Sequence, residues 1–346
     1  MKFLLVLFFL AHLVYAQDAS SDDECAPDAL DNYNMPLRVG SLFIILVTSA
    51  LGIFTPMIMH RIKPYSPGSI RDWILTVGKF FGTGVILATA FVHMLPDAME
   101  NFDSPCLTAG WKTYGAFAGV FCMIASFALQ LLEMGAISRL DALRKQKQQS
   151  SSSVSSATAE MDSKTLEEGM HNHGHSAGLL ENEDQSFRNV GTLMLELGIV
   201  MHSIIIGITL ANTGEDEFTT LLIALVFHQF FEGVALGTRI NALPNTSWVK
   251  SLVLALLFII MTPIGVAIGI GIHSSFNPNS SSSVLASAIL DSLSAGILLY
   301  NAYISLMALE INHNIQFRQQ SFSRKAICFL SMYVGAGLMA LIGEWA

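Results

Sequence analysis

Eight stretches of this chain, with cores at 38–59, 73–95, 113–134, 190–212, 218–238, 249–272, 283–307 and 326–344, are apolar over the length that a helix needs to cross a bilayer. About 20 residues at a 1.5 Å rise span the ~30 Å hydrocarbon core. No water is present there to satisfy peptide N–H and C=O groups, so only helices and closed barrels can cross. Barrel strands need only about 9–11 residues, so these longer runs read as helices. Composition agrees: of 346 residues, 52% are hydrophobic and 13% are charged, against about 25% charged in soluble domains. The chain is read as an all-α polytopic membrane protein with eight transmembrane helices and the lipid bilayer as its surroundings. Its basic residues are scattered with no aromatic-rich basic patch, so no nucleic-acid partner is expected.

Residues 1–16, MKFLLVLFFLAHLVYA, have the pattern of a secretory signal peptide: Lys2, an apolar run, then Ala16. A retained anchor is the alternative. Residues 17–37 form a short acidic segment, 38–134 hold helices 1–3, and 135–189 form a polar loop. Residues 190–346 hold helices 4–8. Lys and Arg fall overwhelmingly on one side of this arrangement. Arg61, Lys63 and Arg71 follow span 1; Arg139, Arg144, Lys145, Lys147, Lys164 and Arg188 follow span 3; Arg239 and Lys250 follow span 5; Arg318, Arg324 and Lys325 follow span 7. The alternate loops hold only Lys112. The positive-inside rule then puts the long loop in the cytosol and both termini outside it. A plasma-membrane address is expected, with an endosomal or vacuolar membrane as the alternative. Cys25 and Cys106 fall on the same non-cytosolic side, where a disulfide between them is one of the open outcomes.

The 135–189 loop begins with a helical extension and continues into a serine-rich, then acidic, stretch read as disordered. It carries His171, His173 and His175, whose alternate spacing suits weak binding of zinc or copper; a solvated linker is the other reading. Asn279-Ser280-Ser281 is a glycosylation pattern on the non-cytosolic side. Small residues cluster on spans 2, 4, 5 and 7, allowing close helix approach. Pro56 and Pro263 fall inside spans 1 and 6, where a kink or local break is expected.

Polar residues near mid-span carry the chemistry. Span 4 holds His202; span 5 holds His228, Gln229 and Glu232. Ionisable groups at that depth are costly and mark ion or substrate paths. His228 and Glu232 are four apart and share a helix face, and side-by-side packing of the two spans would bring His202 to them. Imidazole and carboxylate are zinc ligands, and the same mixture admits Fe2+ or Mn2+. Ser203 and Gln229 stand beside this set as support. Span 2 ends in AFVHMLPDAMENF, where His93 and Asp97, four apart, suit an entrance for cations; Asp291 of span 7 is placed at the same mouth and Glu310 at the other end. Glu196, six residues before His202, is read as part of a polar seam. No GxxxxGK[ST] motif for ATP is present, and His228-Gln-Phe-Phe-Glu232 is not the HExxH of a metalloprotease, so no enzyme activity is expected.

Together, HSIIIG at 202–207, HQFFEG at 228–233, HMLPDA in span 2, the histidine-bearing loop, AGILLYNAY in span 7 and the terminal EWA resemble the ZIP family of zinc- and iron-regulated transporter-like proteins, in its plant and fungal branch. The resemblance covers essentially everything after the signal. It implies a 3+2+3 fold in which helices 1–3 and 6–8 are inverted repeats around helices 4 and 5, with the metal site between those two. It implies transport of a divalent metal towards the cytosol, with Zn2+ first and Fe2+ or Mn2+ as alternatives, the ion being substrate rather than cofactor. His202, His228 and Glu232 match the family's ligand positions. Some bacterial members bridge a second metal through a glutamate at the position of Ile206 here, so one ion is expected. The cytosolic histidines 171, 173 and 175 would sense or hand on metal. A homodimer is the assembly considered.

Overall fold

A computed structural model describes residues 25, 33–62, 69–158, 174–241, 243, 247–274, 277–312 and 314–344. Among these, eight helices are long and apolar enough to cross a membrane. They are α1 (Met35–Arg61), α2 (Ile70–Asp103), α3 (Phe117–Thr158), α4 (Gly174–Asn212), α5 (Glu215–Asn241), α6 (Trp248–Ile272), α7 (Ser281–Asn312) and α8 (Phe322–Ile342). Local chemistry starts several of them. Asn34, Ser69, Ser247 and Ser280 each accept a hydrogen bond from the backbone N–H three residues on, satisfying one of the helix's unpaired donors.

The helices pack in a pattern that repeats with opposite sense. α1 lies against α5 as α6 lies against α4; α2 lies against α8 as α7 lies against α3; α1 crosses α6, and α2 crosses α7. This is the 3+2+3 arrangement, with α4 and α5 at its centre. Of the apolar windows, 61% of α4 is buried but only 22% of α3 and of α8, which face lipid.

Glycines set the spacing, and they too come in matching pairs. A Cβ at Gly207 would sit 2.5 Å from the Thr262 carbonyl oxygen, and Gly265 meets the backbone of Ile204 and Gly207. On the other side, a Cβ at Gly233 would lie 2.9 Å from the Ile53 nitrogen, and Gly237 meets Ile53 and Pro56. Such contacts bring helix backbones together where lipid provides no hydrophobic drive. Pro56 and Pro263 occupy equivalent places beside these glycines, and both helices continue through them, with no break. Interruptions fall elsewhere: α2 widens to a π-helix at Thr89–Met94 and α7 at Asn301–Asn312. In α2, Pro96 follows directly. Its missing N–H and its ring, which crowds the carbonyl four residues back, account for the widened turn.

The joint between α4 and α5 is only Thr213 and Gly214, and α1 holds it. Arg38 is 1% exposed. It donates to the Leu210 carbonyl (3.0 Å) and the Thr213 carbonyl (2.6 Å), stands 3.9 Å from Glu215, and stacks over Phe218. A cation on the exposed carbonyls of a helix C-terminus is favourable, and burial strengthens it. This clamp fixes the register of α4 against α5.

A disulfide joins Cys25 to Cys106 at the end of the bundle where α2 ends and α7 begins; Asn277 donates to the Cys25 carbonyl there. The opposite end carries Arg61 against Trp248 and Arg324 near Trp73. α3 runs through SRLDALRKQKQQ, the expected helical extension, whose Leu, Arg, Lys, Gln and Ala are good helix formers, and on to Thr158; α4 begins at Gly174. His171 and His173, like the signal segment, lie outside the described residues, and His175 falls in the first turn of α4.

Two expectations follow. Gly207→Val should lower the apparent Tm of the detergent-solubilised protein by several degrees, since overpacking costs about 1–3 kcal/mol, whereas Gly40→Ala, with nothing within 4 Å, should leave it unchanged. Arg38→Met should destabilise by about 2–3 kcal/mol through the stranded carbonyls, read in the same melting experiment.

Candidate metal-transport site

α5 presents His228 and Glu232 one turn apart, and α4 presents His202 opposite them. One ligand atom from each lies within 4.8 Å of those of the other two. The His228 Nε2 to Glu232 Oε1 distance is 3.3 Å, and the His202 and His228 rings are 5.5 Å apart between centroids. All three residues are buried, at 4%, 0% and 2% exposure. His228 Nε2 has Glu232 Oε1 beside it, while both ring nitrogens of His202, His228 Nδ1 and Glu232 Oε2 have no hydrogen-bond partner among the described residues. Polar groups so deeply buried are normally paired, and leaving them unpaired is costly. A shared cation resolves this. Two ligands at 2.0–2.1 Å around a tetrahedral ion stand about 3.3–3.4 Å apart, the separation already present between His228 and Glu232.

Around this trio the placement of the other expected residues is uneven. Ser203 and Gln229 are buried on the same two helices, with Ser203 Oγ and Gln229 Nε2 unpartnered. His93, expected at the mouth, is instead 4% exposed and stacks on His228 at 5.3 Å between ring centroids; both its ring nitrogens are unpartnered. The π-helical turn of α2 carries it, and α8 covers it closely: a Cβ at Gly343 would collide with the imidazole. Asp97, one turn on, faces water.

It lines a vestibule of about 650 Å³ that reaches His202. Asp97, Glu100 and Asp103 line it from α2, Asp291 and Ser287 from α7, and Ile206 and Thr209 from α4; Pro105 and Asn279 stand at its rim. It therefore opens at the disulfide-bearing end, with the glycosylation-pattern Asn279 at its edge.

In the other direction the described residues close together. Beyond the trio, Ile86, Leu195, Ile199, Ala235, Leu298 and Leu306 join one apolar cluster. Past that plug, a space of about 20 Å³ is bounded by Lys79, Thr83, Thr238, Arg239 and Glu310, enough for one water. Lys79 and Glu310 pair across it at 3.7 Å. Glu196 lies apart from the trio, 2% exposed with both carboxylate oxygens unpartnered.

The plug and the inward position of His93 were not read from the sequence. The plug is made of ordinary aliphatic residues whose role comes only from converging on one point. For His93, Pro96 three residues on was the available signal, since a proline there widens the turn that aims the imidazole.

The chain resembles known proteins throughout its length. The family model described as "ZIP Zinc transporter" matches residues 35–343. The zinc-regulated transporter 1 of Candida albicans is 36% identical over 315 residues, covering 91% of this chain and 62% of that longer protein. Zinc transporter 5 of Oryza sativa is 35% identical over 361 residues, covering 99% of this chain and 97% of its own. The Fe(2+) transport protein 1 of Arabidopsis thaliana is 30% identical over 363 residues, covering 99% and 96%. With inverted triplets of helices packed around α4 and α5 and a family match across all eight spans, the chain belongs to the ZIP family of metal transporters.

Proposed function

We propose that this protein carries Zn2+ into the cytosol by alternating access around His202, His228 and Glu232. The observation that carries the proposal is a buried trio, with most of its ring nitrogens and one carboxylate oxygen lacking partners, reached by a vestibule from one end of the bundle and covered by an apolar plug towards the other. Midplane sites of this kind, exposed to each side in turn, are how inverted-repeat transporters work. Two imidazoles and one carboxylate hold the ion without enclosing it as a four-thiolate cage would, which suits an ion that must leave. Ser203, Gln229 and His93 complete its surroundings, and Asp97 leads to it.

Orientation is part of the proposal. The vestibule shares its end with the Cys25–Cys106 disulfide, which belongs in an oxidising compartment, while Lys and Arg crowd the sealed end. The vestibule then faces away from the cytosol, both termini lie with it, and the plug, with the Lys79–Glu310 pair, closes the cytosolic exit. A plasma-membrane address and a homodimer belong to the same reading, and neither alters the chemistry of the site. His171, His173 and His175 would then meet the ion after release.

A broader or iron-preferring carrier is the second reading. It is favoured by the similarity to the Arabidopsis Fe(2+) transport protein 1 and by a ligand set that Fe2+ and Mn2+ also accept.

Labelled zinc uptake, competed by iron, manganese and cadmium, tests these readings. His202→Ala, His228→Ala and Glu232→Ala should each abolish uptake at normal membrane expression; undiminished uptake by all three would overturn the site. Weak suppression by excess iron or manganese is expected for a zinc carrier, and strong suppression moves the reading to the broader carrier. Deleting 150–176 should leave uptake largely intact and change regulation or turnover, measured as protein half-life after zinc addition.

A further inference from the structure

We infer that Glu196 is a proton switch in the seam between α4 and α6: it holds a proton while the plug is closed and gives it up to cytosolic water when the plug parts. This rests on the transport reading above for the opening, and on burial alone for the proton. Glu196 is 2% exposed, and both its carboxylate oxygens lack a hydrogen-bond partner among the described residues. Leu195 and Ile199, on either side of it along α4, belong to the plug. It stands six residues before His202, about 9 Å towards the plugged end at 1.5 Å per residue, and is not among the residues that line the vestibule. Ser203 and Gly207, seven and eleven residues on, share its helix face, and Gly207 is the residue that meets Thr262 and Gly265 of α6. The two helices run parallel, for Gly269 in turn meets Ala211. The same pairing carried eleven residues back sets Glu196 beside the Ser251–Ala255 turn of α6. There Leu254 and Ala255 again belong to the plug, and Ser251 is the one polar side chain.

Its electrostatic surroundings are as bare. Among the described residues no charged group acts on Glu196: not Glu133 of α3, Arg239 of α5, Lys250 of α6 or Glu310 of α7, and none of His202, His228 and Glu232. Glu133 is held by Tyr300, and Glu310 by Lys79. An ionised carboxylate with neither donor nor counter-charge in an apolar wall is not sustained, and the group keeps a proton instead. Once the plug parts and water reaches it, that penalty is gone. The neutral form therefore belongs to the closed end and the charged form to the opened one. The proton leaves the carboxyl oxygen for cytosolic water and returns from it on closure. The vestibule does not reach the group, so exchange is with the cytosolic side alone and no proton crosses the membrane. Because opening releases a proton, acid in the cytosol holds the plug shut.

The experiment measures labelled zinc uptake by the full-length protein in cells whose cytosolic pH is clamped with an ionophore while external pH is fixed. Uptake by the parent should fall as the cytosol is acidified, by up to about tenfold per pH unit, the limiting slope for a single proton. Glu196→Gln, a permanently neutral side chain, should be slow at every cytosolic pH and show no slope. Glu196→Asp should restore the slope. Infrared spectra of the purified proteins at neutral pH separate a lost proton from a misfolded chain. A carboxylic-acid carbonyl stretch present in the parent should be missing from Glu196→Gln and kept in Glu196→Asp. An unchanged slope in Glu196→Gln, or spectra that show no acid band lost, would overturn the switch. A parent that takes up zinc with no slope would also overturn it and leave the transport reading standing. A parent that takes up no zinc, yet shows the acid band, would overturn the transport reading and the switch with it, leaving a buried acid.

Discussion

Backbone-to-backbone contact at glycines is the interaction on which the rest of this molecule depends. In a bilayer, apolar side chains gain nothing by leaving the lipid tails for one another's company, so helices associate through close packing rather than hydrophobic burial. Gly207 with Gly265, and Gly52 with Gly233, remove the side chains that would hold α4 from α6 and α5 from α1. With each central helix pressed onto an outer one, His202 and the His228–Glu232 pair face inward, and Arg38 locks the two-residue joint that fixes their relative height.

The same packing makes the two ends of the pathway unlike. At the disulfide-bearing end the helices part enough to leave an acid-lined vestibule. At the basic end, aliphatic side chains from α2, α4, α5 and α7 meet, and a Lys–Glu pair crosses what remains. Opening that end requires the plug residues of different helices to separate. Both helices with a π-helical segment, α2 and α7, contribute to the plug and also carry the vestibule aspartates. Such segments break the regular hydrogen-bond ladder and are places where a helix can change its course. Movement of α2 and α7 would therefore alter both ends at once, which is the mechanical requirement of alternating access.

Much of this was legible beforehand, and for identifiable reasons. Hydropathy located all eight spans because the bilayer imposes both a length and a composition. The four-residue interval between His228 and Glu232 placed them on one face because an α-helix repeats every 3.6 residues. Pro56 and Pro263 suggested a kink or a local break; α1 and α6 continue through them, while the widened turns appeared in α2 and α7. Local sequence names residues able to distort a helix, and packing decides which distortion is realised.

What the sequence by itself determined is everything governed by spacing along one helix or by partition between lipid and water: the number of spans, the lysine and arginine asymmetry, and the His–Glu face of α5. Tertiary structure alone decided what depends on separate helices meeting. It brought His202 to that face, turned His93 inward onto His228, placed Asp291 and Asp97 along one vestibule, and stacked ordinary leucines and isoleucines into a seal. The physical reason is that a side chain's direction is periodic along its own helix, whereas its neighbours depend on the rotation and height of other helices. Those are set by close contacts at glycines far away in the chain.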